Sequence, residues 1–345
     1  MRAYPRYARF FSEDLMYISK PSYYDKFRCI ASLCPDSCCK EWGVQVDDAS
    51  AAYYRSLPGP LGDRLRQVLT EEDGETVMTI EVGRCPMWRD DGLCRIQAEL
   101  GEEALCKTCR EFPRLRHDYG DFVELTLELS CPEAARIILT ASPTPAITEE
   151  IPGGEEAEYD AEAMEILKAT RLTVLDILSD TARPVPEVLA LALLYGYQAQ
   201  GELDGEESRP FDAGAALDSV REFAKPTDGS TLPEFFLTLE LLTEEWKQRL
   251  HSPAPAKWHK GYLALARYFV ERYWLQAVSD YDLYSRVKFM VVSCLLIRQL
   301  GGDFQKTAQL YSKEIENDAD NVDAILDAAY THPAFTDEKI LGKLL

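Results

Sequence analysis

The chain contains the sequence Cys29-Ile-Ala-Ser-Leu-Cys34-Pro-Asp-Ser-Cys38-Cys39, which opens a cysteine-rich part. Five more cysteines follow, at Cys85, Cys94, Cys106, Cys109 and Cys131. Nine of the ten cysteines therefore lie between residues 29 and 131 of a 345-residue chain, and Cys294 stands apart from them. Cysteines that serve only as small core residues scatter along a sequence. Clustering on this scale predicts a thiolate cage for a metal ion or an iron–sulfur cluster.

A disulfide framework and a catalytic thiol are two alternatives to the cage. The first residues, MRAYPRYARFFSEDL, contain no apolar stretch behind basic residues, so we expect no signal peptide. Reduced thiols in the cytoplasm are then the expectation. A catalytic thiol needs one cysteine beside a base, and His117 is the histidine near the cluster in sequence. Nine cysteines exceed that need.

Zinc is the third alternative. One Cys-x-x-Cys pair, Cys106 with Cys109, has the spacing of a zinc knuckle, and the absence of a second pair favours a cluster without excluding zinc. Because adjacent residues point in different directions, we expect Cys38 and Cys39 to divide between a cluster ligand and a supporting position beside it. The candidate metal ligands are Cys34, Cys38, Cys39, Cys85, Cys94, Cys106, Cys109 and Cys131.

Basic side chains accompany the cysteines in sequence. Each of six residues directly adjoins a cysteine: Arg28, Lys40, Arg84, Arg95, Lys107 and Arg110. Nearby cations lower the pKa of a thiol and offset the negative charge of a thiolate-ligated centre. Some of these side chains could equally well point to solvent, so the pattern supports the cage without deciding it.

The composition is that of a globular protein with an acidic surface. Hydrophobic residues make up 46% and charged residues 28%, and the net charge is −22. Residues 1–140 carry a net charge of −6, and the remainder carries −16. This acidity argues against sequence-independent nucleic-acid binding and is compatible with a cationic substrate or partner. The longest apolar run, residues 289–297, is too short to span a membrane, so we expect a buried helix there with Cys294 as a core residue.

The residue patterns predict a mostly α fold, in which a small cysteine-rich α+β part packs against an α-helical bundle. We expect a cysteine-rich metal- or cluster-binding domain over 1–141, an acidic Pro/Gly linker or loop over 142–160, and an α-helical domain over 161–345. In the first domain the patterns predict strands at 41–47 and 76–82, helices at 49–57, 61–69 and 95–105, and a hairpin of 114–117 with 122–129, with Asp47 or Asp48 as the cap of the helix at 49–57. In the last they predict helices at 161–179, 187–200, 213–223, 233–251, 257–278, 283–300, 304–317 and 322–330.

Several short motifs resemble those of the flagellin lysine N-methylase family. They are Tyr23-Tyr-Asp-Lys-Phe-Arg-Cys-Ile, the Cys38-Cys39 doublet, Cys94-Arg-Ile-Gln, Thr108-Cys-Arg-Glu-Phe-Pro113 and Leu129-Ser-Cys-Pro-Glu-Ala-Ala135, and Asp282-Leu-Tyr-Ser-Arg-Val-Lys288 is a weaker match. The cysteine motifs also resemble a wider family of zinc- or iron-chelating proteins, in which Cys39, Cys85, Cys94 and Cys109 hold recurring positions. The resemblance implies methyl transfer from S-adenosylmethionine to lysines of flagellin, and a [4Fe-4S] cluster.

Two common signatures of methyl-transfer enzymes are missing from the sequence. No Gly-x-Gly-x-x-Gly follows a predicted strand, so a Rossmann-type methyltransferase is not indicated. Cys34 and Cys38 begin a Cys-x₃-Cys-x₂-Cys pattern, but Glu41 stands where a radical S-adenosylmethionine enzyme has its third cysteine. The catalytic base and the S-adenosylmethionine site therefore stay open, as do two other functions: an iron–sulfur redox module and a zinc-braced interaction protein.

Aromatic and acidic side chains are densest between residues 268 and 282. This segment includes Tyr268, Tyr273, Trp274 and Asp280. Aromatic rings beside carboxylates bind sulfonium and ammonium cations well, so the segment is a candidate cradle for either one. The alternative, that these rings form the core of the bundle, is favoured for any single one of them.

Overall fold

The computed structural model describes residues 15–40, 43–72, 74–153, 157–221 and 231–345. Within these ranges the chain is mostly α-helical with two small sheets, as the sequence predicts. The N-terminal part contains five helices: α1 (Asp48–Ser56), α2 (Gly59–Val68), α3 (Arg95–Leu100), α4 (Lys107–Glu111) and α5 (Pro132–Thr140). The C-terminal part contains ten: α6 (Ala161–Ile177), α7 (Val185–Leu203), α8 (Ala213–Arg221), α9 (Thr231–Phe236), α10 (Glu244–His251), α11 (Gly261–Tyr273), α12 (Leu283–Leu300), α13 (Phe304–Tyr311), α14 (Ala319–Thr331) and α15 (Asp337–Leu344).

Within the described residues, seven strands form two sheets. They are β1 (Leu15–Lys20), β2 (Val44–Gln45), β3 (Leu69–Glu72), β4 (Glu75–Met78), β5 (Arg114–Asp118), β6 (Phe122–Leu127) and β7 (Ile147–Pro152). The larger sheet has the order β5-β6-β1-β7, in which β1 runs parallel to β6 and antiparallel to β7. The smaller sheet has the antiparallel order β2-β4-β3. The predicted hairpin is confirmed as β5 and β6.

The helical body is organised around α12, which is buried along almost its whole length. Its apolar run and Cys294 lie in the core, as predicted. Helix α7 packs against it at close range: a Cβ atom on Gly196 would lie 2.6 Å from a methyl carbon of Val287. That distance is shorter than van der Waals contact, so only glycine allows the two helices to approach this closely.

Two separate hydrophobic cores divide the described residues. The small core lies among residues 44–109 and is built from α1–α4 and the smaller sheet, with Tyr54, Leu65 and Met87 fully buried in it. The main core joins the C-terminal helices to α5, β6 and the segment that carries Tyr23 and Phe27. We call residues 39–40 and 43–109 the small unit. The main core therefore draws residues from within the predicted 1–141 domain, because α5 and β6 bury their apolar side chains against the helices.

The predicted linker is partly a strand. Residues 147–152 of the expected 142–160 connection form β7, which pairs with all six residues of β1. The acidic side chains there are exposed, because β7 is an edge strand. Its backbone pairs with β1 on one side, and its side chains face solvent. A composition rich in acids and prolines indicated exposure correctly but not the backbone pairing.

Other boundaries differ because long predicted helices break into shorter ones. The helix predicted over 233–251 is two helices, α9 and α10, separated by a turn whose Thr243 caps α10. The helices predicted over 257–278 and 304–317 end earlier and continue as a 3₁₀ turn and a π turn. Residues 41–42 of the predicted first strand and 222–223 of a predicted helix lie outside the described residues. None of the helices in the described ranges is both long and apolar enough to span a bilayer.

Candidate metal centre

Seven cysteines line one cavity of about 410 Å³ at the contact between the small unit and the helical body. They are Cys29, Cys34, Cys38, Cys39, Cys94, Cys109 and Cys131. Residues that lie 102 positions apart in the sequence thus present thiols to the same space. The volume falls in the range of small-molecule and cofactor sites, which is roughly 300–1,000 Å³.

Three of the cysteines are placed by the starts of short helices. Cys94, Cys106 and Cys131 are the residues immediately before α3, α4 and α5. Backbone N–H groups of the first turn lie near enough to the sulfur to lower its pKa, those of Glu133 and Ala134 for Cys131 and those of Ile96 and Gln97 for Cys94. These positions suit thiolates, because the first N–H groups of a helix have no intrahelical acceptor and carry a partial positive charge.

Burial opposes ionisation of these thiols. It raises the pKa of Cys131 to about 11, although the N–H groups offset part of the effect. Burial likewise raises the pKa of Cys94. A metal cation would reverse this balance, since a bound thiolate keeps the N–H hydrogen bonds and gains the charge that compensates for its desolvation.

The thiols contact one another in two places. Cys38 and Cys85 both lie beside Cys39, and these contacts lower the pKa of Cys39 and raise those of Cys38 and Cys85. Cys109 donates to Cys106, which lowers the pKa of Cys106 to about 7 and raises that of Cys109. In each place one sulfur takes up negative charge more readily because a neighbouring thiol lies against it.

Cys85 and Cys106 lie behind the cavity wall. Both are buried in the small core, and each contacts a cysteine that does reach the cavity, Cys39 and Cys109 respectively. The small unit thus contributes five thiols in one neighbourhood: Cys39, Cys85, Cys94, Cys106 and Cys109. The sequence ranked four of these highest through its resemblance to chelating proteins, and the structure brings those four together with Cys106.

Aspartate side chains fix the elements that carry these thiols. Asp47 caps α1 by accepting from the Ser50 N–H at 3.0 Å, as the sequence predicts, and its other oxygen accepts from the Lys107 N–H at 2.8 Å. The start of α4, and with it Cys106, is therefore tied to the start of α1. The backbone N–H groups of Lys107 and Ser50 lower the pKa of Asp47 to about 2.

A second set of contacts holds the loop of residues 29–38 against the helical body. The side-chain amide of Gln309 donates to the Asp36 carboxylate at 3.2 Å and to the Ser130 carbonyl at 2.7 Å. The ammonium of Lys313 lies 3.4 Å from the same carboxylate, and Lys40 lies 3.5 Å from its other oxygen. Although burial opposes it, the charge of Lys313 leads the effects that bring the pKa of Asp36 below its usual value. Sequence patterns gave no sign of Gln309, because its partners are more than 170 residues away.

Basic side chains line the cavity, in addition to those that adjoin the cysteines in the sequence. Arg28, Arg110, Arg114 and Lys313 line it, and Arg114 stacks on Phe27 with 5.1 Å between its guanidinium carbon and the ring centre. Two of these, Arg28 and Arg110, belong to the six basic residues that adjoin cysteines. Two others of the six, Arg84 and Lys40, lie over the Trp88 ring.

The donor set fits a thiophilic cofactor larger than a single ion. Within the described ranges, no three Cys, His, Asp or Glu side chains converge closely enough to hold one metal ion as they stand. A mononuclear zinc site needs four donors about 2.3 Å from one point. Thiols spread around a cavity, with cations beside them, have the donor chemistry that the separate irons of a cluster would need.

The aromatic segment proposed as a cation cradle is core. Tyr268 and Tyr273 are buried, and their hydroxyls donate to the fully buried carboxylate of Glu316 at 3.0 and 2.9 Å. Trp274 is buried as well, and its N–H donates to Thr170. The alternative favoured for each of these rings, that it forms core, is confirmed, because helix α11 and the turn after it direct these side chains inward. Asp280 instead pairs with Arg286 at 2.8 Å.

The fold and site together define a mostly helical protein in which a small cysteine-rich unit presents a thiol-lined cavity to the helical body. Comparison with known proteins gives this class a family. Lysine-N-methylases of Salmonella typhimurium and Salmonella choleraesuis are each 32% identical over 139 residues, 38% of this chain and 35% of theirs. The flagellar biosynthetic protein FliU of Salmonella muenchen is 33% identical over 129 residues, 35% of this chain and 76% of FliU.

The chain belongs to the flagellin lysine N-methylase family, of which FliU is a member. The matched region of the chain spans about a third of the length of the two lysine-N-methylases. No family model matches the chain, and no solved structure matches it.

Proposed function

We propose that the chain is an S-adenosylmethionine-dependent protein-lysine N-methyltransferase that acts on flagellin or a similar surface protein and holds a [4Fe-4S] cluster in its cysteine cavity. The observation that supports the activity is the sequence similarity of the chain to lysine-N-methylases. The observation that supports the cluster is the convergence of seven thiols on one cavity. Zinc is the alternative occupant.

The small unit supplies the proposed cluster ligands. Cys39, Cys85, Cys94 and Cys109 would hold it, with Cys106 beside them. When bound, the cluster supplies a one-electron centre and crosslinks the short elements that carry these residues. The helix N–H groups at Cys94 and the arginines on the wall stabilise the negative charge that thiolate ligation brings.

Methyl transfer sets its own requirements. A bond forms between the lysine nitrogen and the methyl carbon, the bond from that carbon to the sulfonium sulfur breaks, and S-adenosylhomocysteine leaves with the electron pair. The lysine must first lose its proton to a base or to solvent, which costs roughly 4.6 kcal/mol at pH 7 from a pKa near 10.4. The protein must therefore desolvate the lysine and align nitrogen, methyl and sulfur.

The partner and the compartment follow from charge and chemistry. The part of the chain after residue 140 carries a net charge of −16, which attracts a lysine-bearing substrate over several ångströms. We place the reaction in the cytoplasm, where thiols stay reduced and where a surface protein can be modified before export. Neither a nucleic acid nor a membrane is part of the proposal.

Mass spectrometry of flagellin tests the activity. Flagellin from a strain that carries this chain is compared with flagellin from the same strain after deletion of its gene. The proposal predicts that ε-methyl groups on lysines disappear and return when the gene is restored. Unchanged methylation after deletion would contradict it.

An iron–sulfur redox module is the second candidate, favoured by the thiol cavity alone. Such a module would change oxidation state without any use for S-adenosylmethionine. Titration calorimetry of the anaerobic protein with S-adenosylmethionine separates the two functions, and metal analysis of the same sample separates both from a protein that zinc merely braces.

A further inference from the structure

Three exposed tyrosines lie around the start of α12, on the helical body. Tyr197 is 66% exposed, Tyr330 is 61% exposed and Tyr281 is 46% exposed. Tyr197 lies in the C-terminal half of α7, Tyr281 lies two residues before α12, and Tyr330 is the penultimate residue of α14. We call these three rings, with the carboxylates described below, the tyrosine surface. Of the described residues that line the thiol cavity, none belongs to this surface.

Contacts with the first residues of α12 bring two of these tyrosines together. The Tyr330 hydroxyl donates to the carboxylate of Asp282, which caps α12, at 2.6 Å. The ring of Tyr197 packs edge-on against that of Tyr284, with 5.5 Å between the ring centres. Tyr284 is itself buried in the first turn of α12. Parts of α7 and α14 that are distant in sequence therefore present their rings beside the same helix end.

The third ring is joined to this place by Gln200 and by the start of α6. The Gln200 side chain donates to the Tyr281 carbonyl at 2.9 Å and accepts from the Tyr284 N–H at 2.9 Å. The Tyr281 hydroxyl donates to Asp160, the cap of α6, at 3.1 Å. Tyr281 has a φ of +60°, a conformation that is unfavourable for an aromatic residue. Its ring thus stays at the surface despite backbone strain, in contrast to the buried tyrosines of α11.

Carboxylates lie among the rings. Asp160 and Asp204 are exposed, and Asp282 is half-buried. Arg286, at the inner side of this group, is already paired with Asp280 at 2.8 Å. The tyrosine surface therefore combines aromatic rings with negative charge, in a part of the chain whose net charge is −16. Aromatic faces beside carboxylates attract ammonium and guanidinium groups.

The chain already binds one of its own ammonium groups in this way. The Lys288 ammonium lies 5.0 Å from the centre of the Tyr284 ring and 5.9 Å from that of Tyr330. It also lies 2.9 Å from the carboxylate of Asp337 and donates to the Ala329 carbonyl at 2.9 Å. Lys288 approaches from the buried side, since its side chain is 7% exposed. The exposed rings and carboxylates offer the same chemical groups to a lysine of another molecule.

We propose that the tyrosine surface docks a lysine-bearing segment of the protein substrate, at a place that shares no residue with the thiol cavity. Charge complementarity selects a cationic partner. Rings and carboxylates contributed by α6, α7, α12 and α14 suit a segment with more than one lysine better than a single small cation. The identity of the partner, flagellin, rests on the proposed function, but the docking is tested by binding alone.

Binding of purified flagellin to the anaerobically purified full chain, without S-adenosylmethionine, is the measurement. The variant Y197S/Y330S removes two exposed rings and should raise the Kd about five-fold or more, whereas Y197F/Y330F keeps the rings and should bind nearly as tightly as the wild type. Y53S is the matched control and should bind as the wild type does, because Tyr53 is 44% exposed but lies on α1. Circular dichroism of each variant checks that it is folded.

Blocked lysines test the chemistry of the contact. Acetylation of flagellin removes the charge of its lysines, so the difference in Kd between Y197S/Y330S and the wild type should disappear with acetylated flagellin. Added salt should reduce the same difference, since the surface is exposed. A difference that persists unchanged with acetylated flagellin would show that lysine is not what the surface binds.

Three results would overturn the docking site: no binding of flagellin to the wild type, equal Kd values for folded Y197S/Y330S and the wild type, or an equal loss in Y53S. If Y197S/Y330S instead abolishes self-association in size-exclusion chromatography and leaves flagellin binding unchanged, the surface is a contact between two copies of the chain. The proposed function fails separately. A wild type that binds flagellin through this surface without methylating it would contradict the activity and leave the docking site standing, whereas methylation with an unchanged KM in Y197S/Y330S would do the reverse.

Discussion

The hydroxyl of Tyr23 donates to the carboxylate of Glu271 at 3.1 Å, joining residues 248 positions apart in the sequence. Tyr23 stands six residues before the first cysteine of the array, and Glu271 lies on α11 in the helical body. Tyr23 is buried with Phe27 in the main core. The segment that leads into the cysteines is therefore part of the helical core before it reaches the cavity.

Replacement of Glu271 by glutamine should change how stability depends on pH. Burial raises the pKa of Glu271, although Tyr23 and Arg267 offset part of the shift. A raised folded-state pKa contributes stability below the unfolded value of 4.5, and that contribution is lost as the pH rises through the folded value. Urea unfolding of E271Q and the wild type should thus show the variant gaining stability relative to the wild type as the pH rises above 4.5.

The exposed Glu150 on β7 offers the control for that series. E150Q should follow the wild type across the same pH range. A constant difference between E271Q and the wild type at all pH values would show that the Glu271 carboxyl is not perturbed by burial.

Loss of the Asp47 cap should destabilise the small unit. D47A removes the acceptor for the N–H groups of both Ser50 and Lys107, so we expect a loss of about 1–2 kcal/mol in the free energy of unfolding. Because the pKa of Asp47 is lowered to about 2, its contribution is present above the unfolded value of 3.8 and is lost as the pH falls through about 2. Denaturant unfolding measures the loss in free energy of unfolding. Hydrogen exchange in α1 and α4 shows whether the loss lies in the small unit.

The neighbouring residue is a matched control for the cap. Asp48 is exposed in the first turn of α1 and has the same charge, so D48A should cost only a few tenths of a kcal/mol. Equal losses for D47A and D48A would mean that helix charge, and not the two hydrogen bonds, accounts for the stability.

Metal removal should unfold the small unit before the helical body. The small core contains few large apolar side chains, and two of its buried members are cysteines, Cys85 and Cys106. Ligation should therefore supply much of its folding free energy. Hydrogen exchange after anaerobic chelation should show loss of protection in α1–α4 while α7 and α12 stay protected. Identical unfolding midpoints with and without metal would show that the cage does not stabilise the fold.

The colour of the protein reports the proposed cluster. Anaerobic preparations should be brown, and C94S or C109S should remove most of the visible absorbance, since each removes one proposed ligand. C294A should stay brown, because Cys294 is fully buried among the bundle helices. A colourless wild-type preparation with stoichiometric zinc and no iron would exclude the cluster.

The sequence predicted the elements of this fold better than their assembly. The Asp47 cap, the β5–β6 hairpin and the buried α12 all depend on local patterns of capping, turn residues and apolar periodicity. The split between α9 and α10 depends on a contact with a distant residue: Glu314 accepts from the Leu242 N–H at 2.8 Å, and from the Thr243 hydroxyl. Local periodicity continues through that turn, so it predicts one helix where tertiary contacts stabilise two.

The same difference between local and distant information applies to the site. Cysteine clustering was enough to predict that these thiols share one part of the fold, and seven of the nine line one cavity. The position of the 29–38 loop against the helical body was not predictable. It depends on Gln309 and Lys313, two polar residues of the helical body whose role appears only once Asp36 lies beside them.

Mass spectrometry of purified components tests the central claim most directly. Anaerobically purified chain is incubated with flagellin and S-adenosylmethionine that carries an isotope-labelled methyl group, and the Salmonella typhimurium lysine-N-methylase serves as the parallel reaction. The account predicts labelled methyl groups on lysine side chains of flagellin with the wild-type chain, and loss of most of the label with C109S. Unlabelled flagellin from the wild-type reaction, under conditions in which the parallel reaction labels the same sample, would contradict it.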